Sequence, residues 1–374
     1  MSLRPETQAV HNANTDPASG AIVPPIVLST TFEYETTGDD HSPDQLIYTR
    51  WQNPNRAALE ATLARLEGGA AAHAVTSGSA AMLTLFQALR PGDHIVSSDD
   101  MYFGIRVQLN EFFAPWGLET TYVDMSDLDA VRAAMRPDTK LVILESPTNP
   151  LIRLADIAAI AEIAHENGAA LMVDNTVATP VAQNPIALGA DIVVMSLTKY
   201  IAGHHDVLGG AIIFAQEDEL AERVMRLVRI GGGVLSPLNC WLAARGLQSL
   251  AYRVRAHSES ALQVACFLAE HPKVERVLYP HHPSHPQYEL ARRQMSLGSG
   301  LMSILVKGGR QAAINLVNRL QLFTSATSFG GTHSLIEHRE SIEEGASTPA
   351  NLLRVSIGLE HPADLISDLQ QALE

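Results

Sequence analysis

From about residue 57 to 245 the chain alternates between two patterns, short unbroken apolar runs and Ala-rich segments of helical period. LVILES at 141–146, ALMVDN at 170–175, DIVVMSL at 191–197 and GAIIFA at 210–215 are short and show no polar alternation. Such runs predict strands covered on both faces. AALEATLARLEGG (57–69) and LADIAAIAEIAHENG (154–168) supply amphipathic helices among them. The alternation predicts βαβ units, hence an α/β fold around a mostly parallel sheet.

Ligands of such sheets gather at the carboxyl ends of the strands. Here those ends are polar: LVILES runs into Glu145, Ser146, Pro147, Thr148 and Asn149, ALMV into Asp174 and Asn175, and IVVMSL into Thr198 and Lys199. The flanks read differently. Residues 1–56 are rich in Pro, Thr, Asp and Asn and read as an arm that packs on the rest of the molecule or on a second subunit. The GGG at 231–233 reads as a flexible connection. A helical pattern follows from Pro237 to about His271, then a strand candidate (LMSILV, 301–306), a helix (QAAINLVNRL, 311–320) and the closing LLRVSIGLE with a last helix. The expected organisation is an arm (1–56), a large domain (57–245) and a smaller α/β domain (246–374).

Composition narrows the function. The 374 residues hold 26 basic against 41 acidic side chains, a net charge of −15, which disfavours nucleic acid and anionic membranes as partners. No apolar run reaches the roughly 20 residues of a membrane span, and the first residues lack a signal-peptide core, so the expected location is the cytoplasm. Cys240 and Cys266 sit in apolar, helical stretches without CxxC spacing and read as buried thiols. His204, His205 and Asp206 are adjacent on a loop and are not expected to share a metal. His281, His282 and His285, interleaved with prolines, read as a solvated loop.

The strand ends suggest one chemistry. A carboxylate at Asp174, on a strand covered on both sides, needs a cationic or strongly donating partner. Lys199 lies one βαβ unit on, and a desolvated lysine loses proton affinity, as imine formation requires. The turn Ser77-Gly78-Ser79 opens a good helix, so its bare amides can cradle a phosphate, with the hydroxyls of Ser196 and Thr198 as further donors. Tyr102, in SSDDMYFG, adds an aromatic face. A flat ring bearing a phosphate, an aldehyde and a pyridine nitrogen uses all four elements, and that ring is pyridoxal phosphate.

YTRWQNPNR, LEGG, ESPTNPL, the block from Val173 to Gly210, LFTSATSFGGTHSLIEH and LLRVSIGLEHPADLISDL resemble, in order and spacing, the Cys/Met-metabolism family of pyridoxal-phosphate enzymes. The resemblance runs from about residue 10 to the C-terminus. It implies an aspartate aminotransferase-like fold, assembled as a homotetramer of two dimers that share active sites. It further implies that Lys199 carries the cofactor, Asp174 pairs with its pyridine nitrogen and Tyr102 stacks on the ring; a phenol made more acidic by the cofactor and cations nearby would also let Tyr102 serve as an acid or base. Gly78, Ser79, Ser196 and Thr198 match the phosphate cradle, while Tyr48 and Arg50 match residues that reach the neighbouring subunit's phosphate. Asn149 and Arg354 match binders of the substrate carboxylate, and Ser328 lines the site beside them.

Departures from the family pattern fall around the substrate. Thr327 stands where γ-synthases and γ-lyases carry a glutamate, Gly104 where methionine γ-lyases tend to carry a cysteine, and Phe103 and Ser79 replace a glycine and a methionine. The expected activity is transsulfuration by γ-elimination or γ-replacement on a sulfur amino acid or homoserine ester, with cystathionine β-lyase or methionine γ-lyase chemistry as the alternative. No GxGxxG opens a helix, which argues against a nicotinamide dehydrogenase.

Overall fold

A computed structural model describes residues 3–12, 19–34, 45–342 and 348–374. Seven strands form the larger sheet: β1 (Ala71–Val75), β2 (His94–Ser98), β3 (Glu119–Val123), β4 (Thr139–Glu145), β5 (Ala170–Asp174), β6 (Ile192–Ser196) and β7 (Gly210–Phe214). Their order is β1-β7-β6-β5-β4-β2-β3. Only β7 runs against its neighbours, pairing antiparallel with β1 and β6, while the others share one direction. The apolar runs are strands because each face finds a cover: Ile192 and Val194 join one buried cluster with Leu141, Ile143 and Met172, and Val193 and Met195 join another with Leu59 and Leu63. Alternate residues of an unbroken apolar run thereby fill two cores.

A second sheet holds β8 (Val274–Leu278), β9 (Leu301–Val306), β10 (Thr324–Ser325), β11 (Leu335–Glu337) and β12 (Leu352–Ser356), in the order β10-β11-β12-β9-β8. It has its own core, with Met302, Ile304, Ile336, Leu353 and Val355 packed on Val264, Leu268, Leu365 and Leu369. The 21-residue helix Leu250–Glu270 contributes to the cores of both sheets. Among the described residues no helix is long and apolar enough to cross a membrane.

Several local expectations need correction. The first long helix starts at Pro54, three residues before the periodic pattern, because the Asn53 side chain accepts the Asn55 amide at 3.0 Å and caps it. The glycines at 231–233 are not a free linker: Gly232, at φ +81°, closes the helix Glu219–Gly231, and the Gly233 carbonyl accepts the Thr76 amide at 3.1 Å. Cys240 is buried, but Cys266 is exposed, since the helix that carries it turns Val264, Ala265 and Leu268 inward instead. His285 is buried rather than solvated, its Nε2 donating to the Ile152 carbonyl at 3.0 Å. The same loop presents Gln287 Oε1 to the Leu154 amide at 2.8 Å. The proline-rich loop is thus a clamp on the chain just after Asn149.

Candidate active site

β4, β5 and β6 end side by side, so their last residues share one edge of the sheet. Glu145 lies opposite Asp174 in the register of β4 and β5. Asp174 Oδ1 accepts the Thr176 amide at 2.9 Å, and Thr176 Oγ1 accepts the Ser196 amide at 2.8 Å, lacing β5 to β6 at this edge. Burial raises the Asp174 carboxyl, opposed by its Thr176 hydrogen bonds and by the charge of Lys199. Asp174 is nevertheless only half-buried by surface exposure.

Lys199 stands three residues past the end of β6. Burial, and then the guanidinium of Arg354, pushes its amine down to about 8. Lys199 Nζ donates to Ser328 Oγ at 2.8 Å and sits 4.9 Å from the centre of the Phe329 ring. Sequence reasoning placed Asp174 and Lys199 at one crevice, and the structure brings them within electrostatic reach of each other.

The turn after β1 meets them from the side. Ser77 caps the helix Gly78–Ala88, accepting the Ala80 amide at 3.0 Å, so the first amides of the helix lie open. Two glycines permit the approach: a Cβ on Gly78 would stand 3.0 Å from the Ser196 Cβ, and one on Gly210 only 2.2 Å from the Ser77 carbonyl oxygen. Ser79 lies in the first turn, its carbonyl accepting Gln108 Nε2 at 3.1 Å. The Thr198 hydroxyl is tied to Gly209, accepting its amide at 3.0 Å, which anchors the Lys199 loop from below.

The smaller sheet supplies the facing wall. Arg354, buried on β12, donates through Nη2 to the Ser328 carbonyl at 2.8 Å and through Nη1 to Asn149 Oδ1 at 3.3 Å. It also pairs with Glu337, the residue opposite it on β11. The Glu337 carboxylate takes Arg339 Nη1 at 2.9 Å on its other oxygen, so one buried carboxylate holds two guanidinium groups. Burial draws the Arg354 guanidinium down to about 10. Ser328 adopts φ +79°, a conformation rare outside glycine, which aims its hydroxyl at Lys199 while its carbonyl meets Arg354.

Other predicted residues lie at the rim. Tyr102, partly exposed, packs edge-on against Phe103 with ring centres 5.1 Å apart, and its amide donates to Glu145 Oε2 at 3.2 Å. Thr327 is exposed just before Ser328. Tyr48 and Arg50 are turned elsewhere: the guanidinium lies 5.5 Å from the Tyr48 ring centre and donates to the Arg229 carbonyl at 2.7 Å. Sequence reasoning missed Glu337, Arg339 and Phe329. A charged residue closing the short run LIE, within SLIEH, was the available signal, because a buried charge in a strand needs a partner.

A dry amine and a buried carboxyl at adjacent strand ends, beside an open helix N-terminus pressed close by glycines, suit a phosphorylated aromatic aldehyde. This combination on an α/β sheet is that of a pyridoxal-phosphate-dependent enzyme. The family model described as Cys/Met metabolism PLP-dependent enzyme matches residues 6–374, and the chain belongs to that family. Among curated relatives, cystathionine gamma-synthase of Mycobacterium bovis is 45% identical, over 99% of this chain and 96% of its own length. Cystathionine gamma-lyase of Dictyostelium discoideum is 41% identical, over 98% and 97%. The crystal structure of metB from Corynebacterium glutamicum superposes with a TM-score of 0.95 at 39% identity, covering 100% of this chain and 98% of that one. The protein is accordingly a pyridoxal-phosphate enzyme of Cys/Met metabolism, acting in transsulfuration.

Proposed function

We propose that the protein acts at Cγ of a sulfur amino acid or homoserine ester, by replacement or elimination, as a cystathionine γ-synthase or γ-lyase does. The observation that carries the reading is the whole-chain likeness to cystathionine gamma-synthase, on a site whose Lys199 amine, beside Asp174, drawn down to about 8 and held on Ser328, suits imine chemistry. In this assignment Lys199 would bond the cofactor, Asp174 would pair with its ring nitrogen, and the amides of Gly78 and Ser79 with the hydroxyls of Ser196 and Thr198 would hold its phosphate. Pyridoxal phosphate, when bound, supplies a conjugated sink for the electrons released at Cα.

The chain's own groups do the rest. Arg354, steadied by Glu337 and Asn149, grips the substrate α-carboxylate with its planar fork. Lys199 Nζ, neutral above about pH 8, removes the Cα proton, with Ser328 Oγ orienting the amine, and a separate deprotonation at Cβ then lets a γ-substituent leave. The Tyr102 phenol, at the open side, exchanges a proton with the amino or leaving group. Thr327, just before Ser328, lines the distal part of the substrate.

We assign a homotetramer, with Tyr48 and Arg50 completing the phosphate site of the neighbouring subunit, and a cytoplasmic location. Exposed Trp51, Phe112, Trp116 and Ile230 offer apolar surface for a second copy. We also propose an arm (1–56), a cofactor domain (57–245) and a C-terminal domain (246–374), a division that the presence of two distinct sheets supports. The test is incubation of the purified enzyme with cystathionine, with O-succinylhomoserine plus cysteine, and with methionine. Cystathionine formed from the ester, or 2-oxobutyrate from cystathionine, supports Cγ chemistry; pyruvate from cystathionine would replace it by the β-lyase reading. A fully active monomer on gel filtration would overturn the shared site.

A further inference from the structure

Glu145 has no part in the chemistry above, yet it is one of the most enclosed acids in the molecule, only 4% exposed at the last position of β4. Its surroundings are unusual. Asp174 faces it across the β4–β5 register, Asp100 is a second acidic neighbour, and the Arg354 guanidinium lies within electrostatic range. Burial first, and then Asp174 and Asp100, raises its carboxyl well above the ordinary carboxylate range.

What the side chain does is visible in its hydrogen bonds. Glu145 Oε2 accepts the Tyr102 amide at 3.2 Å, from the turn that follows β2. The Asn149 backbone, four residues further along its own chain, is near enough to the carboxyl to offset part of that rise. Those two turns carry the aromatic face at one side of the crevice and, on the other, the asparagine whose Oδ1 takes Arg354 Nη1. A second link runs parallel to this one, Thr148 Oγ1 donating to Asp100 Oδ2 at 2.6 Å, so the two turns are laced at two points.

We propose that Glu145 is a positioning residue for the reaction: its carboxyl, reaching from the end of β4 to the Tyr102 amide, sets, together with the parallel Thr148–Asp100 bond, the separation between the ring-stacking tyrosine and the carboxylate-binding pair Asn149–Arg354. The inference rests on the roles given to Tyr102, Asn149 and Arg354 in the preceding subsection. Its physical content is reach. The group serves as an acceptor of fixed length, so a side chain of equal length should substitute better than a shorter acid.

The test compares Glu145→Gln with Glu145→Asp in the holoenzyme. Glutamine keeps the length and one acceptor oxygen; aspartate keeps the acid but falls short by one methylene, roughly 1.5 Å. With a misplacement of about 1 Å able to cost about 100-fold, we expect Glu145→Asp to lose about 10-fold or more in kcat/KM and Glu145→Gln no more than about 3-fold. Visible circular dichroism of the bound cofactor should weaken in Glu145→Asp and persist in Glu145→Gln. Equal behaviour of the two variants, or a worse outcome for glutamine, overturns the proposal. Borohydride fixation of the cofactor to Lys199 is measured in both proteins. Fixation with equal kinetics sinks the positioning role alone, whereas no fixation to Lys199 even in the parent enzyme sinks the site assignment beneath it.

Discussion

The two walls of the crevice are built on different principles. On the larger sheet, Asp174, Ser196 and Lys199 are placed by strand ends: backbone pairing fixes where each run stops, and the Thr176 bridge laces two of them. On the smaller sheet, Ser328, Glu337 and Arg354 are placed by charge, through a buried carboxylate shared between two arginines and a serine held at φ +79°. A wall of strand ends tolerates loss of a side chain without moving. A wall of paired ions does not, because each partner removed leaves an uncompensated charge in a dry place.

Substitutions should separate the walls. Lys199→Ala should abolish the visible absorbance of Lys-bound cofactor and cut turnover by about 10⁴-fold or more, while the melting temperature of the cofactor-free protein stays close to the parent's. Retention of both colour and activity would remove Lys199 from the mechanism. Glu337→Gln should instead unsettle the protein itself. Leaving the buried Arg354 without the carboxylate opposite it is expected to cost about 3–5 kcal/mol, read in a denaturant melt, together with a raised KM.

Arg354→Lys sharpens the contrast within the second wall. A lysine keeps the charge but not the fork, so KM should rise about 10- to 100-fold while cofactor colour is unchanged. Ser328→Ala, which removes one hydrogen bond to the amine, should slow turnover by only about 3- to 10-fold.

The amine's acidity gives the subtlest handle. Since folding draws Lys199 from 10.5 down to about 8, its labelling by an amine reagent in the cofactor-free protein should be half-maximal near pH 8, below the range of surface lysines. Between about 8 and 10.5 the unfolded chain holds the extra proton, so the cofactor-free protein gains stability as pH rises through that window. A labelling midpoint near 10.5 would contradict the dry environment.

The first wall was legible in the chain because it depends on local pattern. Unbroken apolar runs ending in Asp174 and Lys199 state their own burial and position, and a helix opening on Ser77-Gly78 states its cap. The second wall depends on pairing between residues far apart in sequence, as with Arg354 and Glu337, and residue types alone do not say which charge meets which. The loop at 279–287 misled for a similar reason: its prolines signal a turn, but burial of His285 is decided by the Ile152 carbonyl waiting for it. The glycines at 231–233 misled in the opposite sense, since the same residue that frees a chain also terminates a helix.

β7 is the one strand of the larger sheet that runs backwards, and Ser196 pairs directly with Gly210. The segment between them therefore leaves and rejoins the sheet at a single point, like a handle fixed at both ends. The Lys199 amine rides on that handle and has little freedom to withdraw.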